Sequence, residues 1–198
     1  MPADRPYYFN HAARRIATGS FITELPAALL ILFFLFMVPL INLASATLKV
    51  YQLRTAALEA LHRAARAQVF VQDIPPTPPL YPTPALSANT IYRNELNGFI
   101  SKGWLAPNQL TVTAQPVVCV AEPIGGGSPI TYTAALAPNQ VDTTKYNYFY
   151  EVHTQGLAYP VLSAPPGGLI PTVPGLSGPM VVDITGRQMV EKPRGLIK

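Results

Sequence analysis

The residue that most demands a chemical explanation is Glu24, a lone carboxylate at the mouth of a long apolar run. Gly19-Ser20-Phe21-Ile22-Thr23 leads into it, Arg5, Arg14 and Arg15 precede it, and the 24 residues from Leu25 to Leu48 carry no charge. Dragging a carboxylate toward the centre of a bilayer costs roughly 2.5–3.5 kcal/mol, so Glu24 must meet a partner or snorkel to the headgroups. In a helical bundle a cationic partner would do more than neutralise it. Lipid competes with protein for contact between two greasy helices, and a charge pair is what fixes their register.

The other residue types that carry chemistry form no constellation by spacing. His11 stands near the N-terminus, His62 falls on the polar side of a helical pattern, and His153 closes a strand pattern. No His-Glu-x-x-His pair or Gly-x-Ser-x-Gly elbow is present, and Gly125–Ser128 lacks the lysine of a phosphate loop. The carboxylates Asp73, Glu95, Glu122, Asp142, Glu151, Asp183 and Glu191 are scattered, and neither a glycosidase-like pair nor a metal set follows from them. Trp104 and the tyrosines read as core and surface contacts. Cys119 is the single cysteine, which excludes an intrachain disulfide and leaves a buried small hydrophobe or a mixed disulfide with a partner. The chain therefore reads as a non-enzyme without a cofactor or metal.

The elements that position Glu24 come next. Leu25–Leu48 is long enough to cross a hydrocarbon layer of roughly 30 Å at about 1.5 Å per residue. The pattern predicts one helix from Ser20 to about Gln72, a rod of about 80 Å. Its second half is amphipathic, with Val50, Leu53, Ala57, Leu58, Leu61, Ala64, Ala65 and Val69 on one face and Arg54, Glu59, His62, Arg63, Arg66 and Gln68 between them. Pro26 is tolerable near a helix start, whereas Pro39 removes a donor mid-span and predicts a bend. Asn42, Ser45 and Thr47 follow it and are placed to satisfy freed carbonyls or to bond neighbouring helices.

Beyond the helix, the chain holds most of its 22 prolines and 13 glycines, 35 of 198 residues against a usual share of about 12%, so the remaining domain is loop-rich. Residues 73–89, with Pro75, Pro76, Pro78, Pro79, Pro82 and Pro84, predict an extended, stiff spacer. Thr90–Trp104 predicts a short amphipathic helix. Strands are expected over Gln109–Ala121 with an edge or bulge at Pro116, over Ile130–Thr133, over Tyr146–His153, and over Met180–Thr185 with Gln188–Val190. Gly156–Pro179 is an irregular excursion. The fold class is α+β: a long N-terminal helix feeding a small antiparallel sheet at residues 90–198. The net charge of +4 gathers beside the membrane segment and at the C-terminal tail, so it is not a nucleic-acid footprint. Charge does not fix orientation, because the flanks before and after the span carry net +2 and +3.

The junction around Gly19 resembles a type IV prepilin-type signal: a short basic leader (Met1–Gly19), a glycine, and glutamate at the fifth position after it. Two further segments are similar to TadE-type minor pseudopilins of the tight-adherence (Tad) pilus system. One is Ala56-Ala57-Leu58-Glu59-Ala60-Leu61-His62-Arg63-Ala64-Ala65-Arg66-Ala67. The other is a strand at Tyr148–His153, a proline/glycine loop closing on Gly178-Pro179, a last strand, and Gly186-Arg187-Gln188-Met189-Val190-Glu191. Pro75–Asp142 matches nothing in that family. The resemblance implies cleavage after Gly19 by a prepilin peptidase, a new amine on Ser20, and assembly contacts through Phe21 and Glu24. It further implies a single-pass protein of a bacterial inner membrane, its C-terminal domain periplasmic or extracellular. Its partners would be other pilin-like subunits, the pilus assembly platform and the lipid bilayer, in a homo- or hetero-oligomer packed through helices. The alternatives are an uncleaved single-pass structural protein and a membrane-tethered binding module for an envelope polymer. A secretory signal cut after Ala46 fits poorly, because the apolar run is too long for one.

Overall fold

The computed structural model describes residues 12–76, 83–102, 110–162, 174–175 and 178–197, with the backbone alone for 12–23. Met1–His11 of the leader, the proline stretch Thr77–Pro82, Gly103, Trp104 and the excursion from Ser163 to Val173 lie outside them. The elements are α1 (Ala12–Ala64), α2 (Ala88–Lys102), β1 (Leu110–Ala114), β2 (Val118–Pro123), β3 (Ile130–Tyr132), β4 (Tyr146–Ala158) and β5 (Met180–Met189). Short 3-10 turns stand at Pro138–Gln140 and Pro193–Ile197. The chain divides into two compact units, meeting between Ile41 and Asn42.

The first unit is helical from Ala12, so the described residues just before Gly19 are helical backbone. From Glu24 to Met37 every side chain is exposed. The helix from Glu24 to Ala64, which contains this stretch, is long and apolar enough to cross a membrane. Pro26 and Pro39 both lie inside the helix.

The second unit packs the later half of α1 and the shorter α2 on one face of a five-stranded antiparallel sheet. β4 is the sheet's axis. β5 lies along one edge of it, from Phe149↔Met189 to Ala158↔Met180. The other edge is shared end to end: β2 pairs with Tyr146–Glu151 and β1 with Thr154–Ala158. β3 then pairs with β2. Pro116 falls in the gap between β1 and β2, where residues 115–117 face only Val152 and His153 of β4, so the register shifts by one residue and the expected bulge is present. The gap is closed by Gln115 N–H donating to the His153 carbonyl (3.0 Å) and Val117 N–H donating to Asn89 Oδ1 (3.1 Å). β4 runs five residues beyond the expected His153, and the two expected C-terminal pieces are one strand.

The core column is α1's inward face: Leu53, Ala56, Ala57, Ala60, Leu61, Ala64 and Ala65 are buried with Tyr150, Val152, Val182 and Ile184 of the sheet. Alanine dominates because the helix lies close. A Cβ at Gly156 would stand 2.7 Å from Leu53 Cδ2, so any other residue there would force the Leu53 side chain to shift. Leu58, expected on this face, is instead exposed.

α1 ends at Ala64, short of Gln72, because tertiary partners take over its last carbonyls. Ala67 N–H closes a tight turn on the Ala64 carbonyl (2.9 Å), and Glu191 N–H reaches the Ala65 carbonyl (3.1 Å). Phe70 then turns inward and stacks on Tyr150, ring centroids 5.4 Å apart. The proline-rich segment is not a spacer at its ends. Ile74 and Ala85 exchange both backbone hydrogen bonds (2.9 and 3.0 Å), so the chain doubles back. Ser87 then caps α2, its hydroxyl accepting from Thr90 N–H (3.3 Å), and Asp73 braces the cap by accepting from Ser87 N–H (2.6 Å) and the Thr90 hydroxyl (3.0 Å), which holds its carboxyl below the usual range.

Two buried groups are chemically quiet. Burial pushes the Cys119 thiol up to about 12, so it behaves as a small hydrophobe. The Tyr150 hydroxyl is buried with no hydrogen-bond partner among the described residues. An unmade buried bond costs about 1–3 kcal/mol, so Tyr150→Phe should leave the urea midpoint of the detergent-solubilised chain unchanged or raise it. Gly195 is the opposite case, since a Cβ there would stand 2.6 Å from the Gln68 carbonyl oxygen, an immovable backbone atom. Gly195→Ala should lower stability by about 1–3 kcal/mol in the same measurement.

Candidate functional site

The residues that set this helix apart from an ordinary core helix are Asn42 and Lys49. They lie seven positions apart with Ala46 between them, a spacing that stacks all three on one helix face. All three are buried, although Asn42 lies within the uncharged run and Lys49 closes it. Neither polar group is wasted. Asn42 Nδ2 donates to the Leu162 carbonyl (2.8 Å) and its Oδ1 accepts from Leu162 N–H (2.9 Å), so one side-chain amide pairs both backbone groups of one residue. Lys49 Nζ donates to the Tyr159 carbonyl (2.5 Å). The first four residues after β4 are thereby fastened along two turns of helix. Gly175 (φ +80°) closes in from a second segment; a Cβ built on it would meet Ala46 Cβ at 3.8 Å.

The opposite face of the same helix is uncovered. Leu48 (54% exposed), Tyr51 (67%) and Leu58 (42%), together with Ala44 and Thr55, recur at three- and four-residue spacings on the side away from the sheet. The Thr55 hydroxyl folds back on the Tyr51 carbonyl (3.0 Å) and the Thr47 hydroxyl on the Leu43 carbonyl (2.9 Å), which hides their polarity within the helix. The result is an apolar stripe on a domain that already has its core. Toward the helix end the exposed surface becomes ionic. Arg63 bridges Glu59 (3.3 Å) and Glu95 of α2 (2.8 Å), and Arg66 reaches Glu191 (3.0 Å).

A second cluster lies on the outer face of the sheet. Arg187 is held by Glu122 (2.7 Å) and lies over the Phe149 ring, 4.1 Å from its centroid. Beside it, Glu151 Oε1, His153 Nε2 and Nδ1, and Thr185 Oγ1 form a chain with links of 3.2 and 3.3 Å. Cross-strand register produces it: Glu151 and His153 share a face of β4, and Thr185 stands directly opposite His153 on β5. The order of groups is that of a nucleophile relay, but the ring is half exposed on an open sheet face. A surface hydrogen-bond chain is what this geometry provides. Among the described residues no group of three or more His, Cys, Asp or Glu side chains is placed to hold a metal.

Gly19, Ser20 and Phe21 lie within α1 as helical backbone, their side chains outside the described residues, and Glu24 is an exposed position of the same helix. No family model, curated protein or solved structure matches the chain. Sequence reasoning placed Asn42 as a donor to its own helix or a neighbouring one and did not single out Lys49. Their seven-residue spacing on an apolar helix was the available signal, whereas the partners in the 159–162 loop were not legible.

Asn42→Ala leaves both backbone groups of Leu162 without their side-chain partner, a loss of about 1–3 kcal/mol. Limited proteolysis of the detergent-solubilised variant should cut at 159–162 faster than in the parent, with the Tyr150 region equally protected in both.

Proposed function

We propose that this chain is a minor pilin or pseudopilin-type subunit, which takes part in assembling a Tad or type IV-like pilus through its N-terminal helix. The observation that carries the reading is the two-faced helix. One face of α1 already makes the core of its own domain, and the opposite face keeps Leu48, Tyr51 and Leu58 apolar and exposed. A tether needs no such stripe; a helix packed beside similar helices does.

On this reading the leader Met1–Gly19 is removed by a prepilin peptidase and Ser20 becomes the new amine. Phe21 and Glu24 then make assembly contacts, the carboxylate of one subunit neutralising the amine of another. Gly19 weakens the helix locally, disfavouring it by about 1 kcal/mol relative to alanine, which eases the local unwinding that cleavage of a helical bond needs. The protein sits as a single-pass component of a bacterial inner membrane with the sheet domain periplasmic or extracellular. Its partners are other pilin-like subunits and the assembly platform. The rival reading, an uncleaved structural anchor, draws on the helix that runs from Ala12 through Gly19 without a break.

Two measurements on the protein from native membranes test the proposal. N-terminal sequencing should read Ser20 first; an intact Met1 start gives the rival. Tyr51→Asp with Leu58→Asp should abolish the multimers trapped by chemical cross-linking while changing domain stability by less than about 1 kcal/mol, since both are surface positions. Multimers that survive both substitutions would remove the stripe from any assembly role.

A further inference from the structure

We infer that the loop Tyr159–Leu162 is a lipid-contacting element, seating the near end of the domain in the interfacial layer of the bilayer. The inference rests on the membrane-anchored reading of α1 and adds to it a second point of contact, far away in sequence.

Span arithmetic gives the depth. A hydrocarbon core of about 30 Å takes about 20 residues of helix. Counted from Leu25, the first residue past Glu24, the span reaches the neighbourhood of Ala44. Asn42 therefore lies at the inner side of the boundary, and Leu162 is fastened to it by two hydrogen bonds. The loop is drawn to the depth where the helix still presents Leu43 and Leu48 outward.

The loop's chemistry suits that depth. Its tip is apolar and uncovered, with Val161 46% and Leu162 41% exposed. A backbone entering a low-dielectric layer must bring its polar groups already paired. Here Asn42 pairs the N–H and the carbonyl of Leu162, Lys49 pairs the carbonyl of Tyr159, and Pro160 has no N–H to pair. Just past it stand the residues that favour headgroups. Tyr51 and the half-buried Tyr159 are amphipathic rings, and Arg54 is exposed one turn further on. A second copy of the chain is the competing occupant. Lipid is favoured because Leu162 is fastened to the uncharged run at Asn42 with both of its backbone groups paired, which lipid demands and a protein neighbour does not.

The test uses the full chain in phosphatidylcholine–phosphatidylglycerol vesicles, labelled with an environment-sensitive fluorophore at Val161→Cys. Parallel labels stand at Leu35→Cys in the span and Thr144→Cys, an exposed position before β4. Cys119 is buried and stays unlabelled. Lipid-borne quenchers should remove most of the emission at positions 35 and 161 and leave position 144 unaffected, at every protein-to-lipid ratio. If 35 is quenched while 161 behaves like 144, the inference is overturned and the anchor stands. If 35 is not quenched, the anchor itself fails. Shielding of 161 that disappears on dilution of the protein in lipid assigns the loop to a neighbouring copy, which also overturns the inference.

Discussion

Everything in the folded domain depends on how closely the later half of α1 lies against β4 and β5. Alanine at 56, 57, 60, 64 and 65 and glycine at 156 and 186 are the residues that permit it. Leu53 and Leu61 then reach over the two glycines, and Tyr150 and Val152 fill the remaining space. A helix held by small residues keeps its polar and large residues for the other sides. That separation is why one face serves as core and the opposite face keeps an apolar stripe.

The ionic contacts fall where the helix leaves the sheet. Arg63 and Arg66 each find a carboxylate from another element, Glu95 on α2 and Glu191 after β5. These pairs are exposed, and such pairs contribute little to stability, roughly 0–1 kcal/mol. Their role is directional: they fix which way α2 and the C-terminal tail leave the helix end, next to the backbone bond from Glu191 to the Ala65 carbonyl. The alanine/arginine run and the closing Gly186–Glu191 segment, separate signals in the sequence, are one contact in the fold.

Periodicity made the long helix, the short helix and the sheet's composition legible, because each rests on local spacing. The α+β class followed from the same patterns. Three things were not legible, for three physical reasons. The helix stop at Ala64 is made by Glu191 and by the turn into Phe70, and no breaker residue marks it. The proline-rich run suggests a stiff spacer from its φ restriction, yet the residues that decide its path are Asp73 and the Ile74–Ala85 pair at its ends. The site had a partial signal. Glu24 was conspicuous as a charge beside apolar residues, while Asn42 and Lys49 gain meaning only from carbonyls that lie more than a hundred positions away.

The distance between those partners has a temporal meaning. Arg66 meets a residue 125 positions later, and Asn42 one 120 positions later. The first core element made by the ribosome is thus sealed by the last ones, and loop closure of that length is slow. Until β5 and the tail emerge, the part of α1's alanine face that they cover stays open. A newly made chain keeps that part of its core open until the C-terminal strand arrives, and only completion of the C-terminus ends the wait.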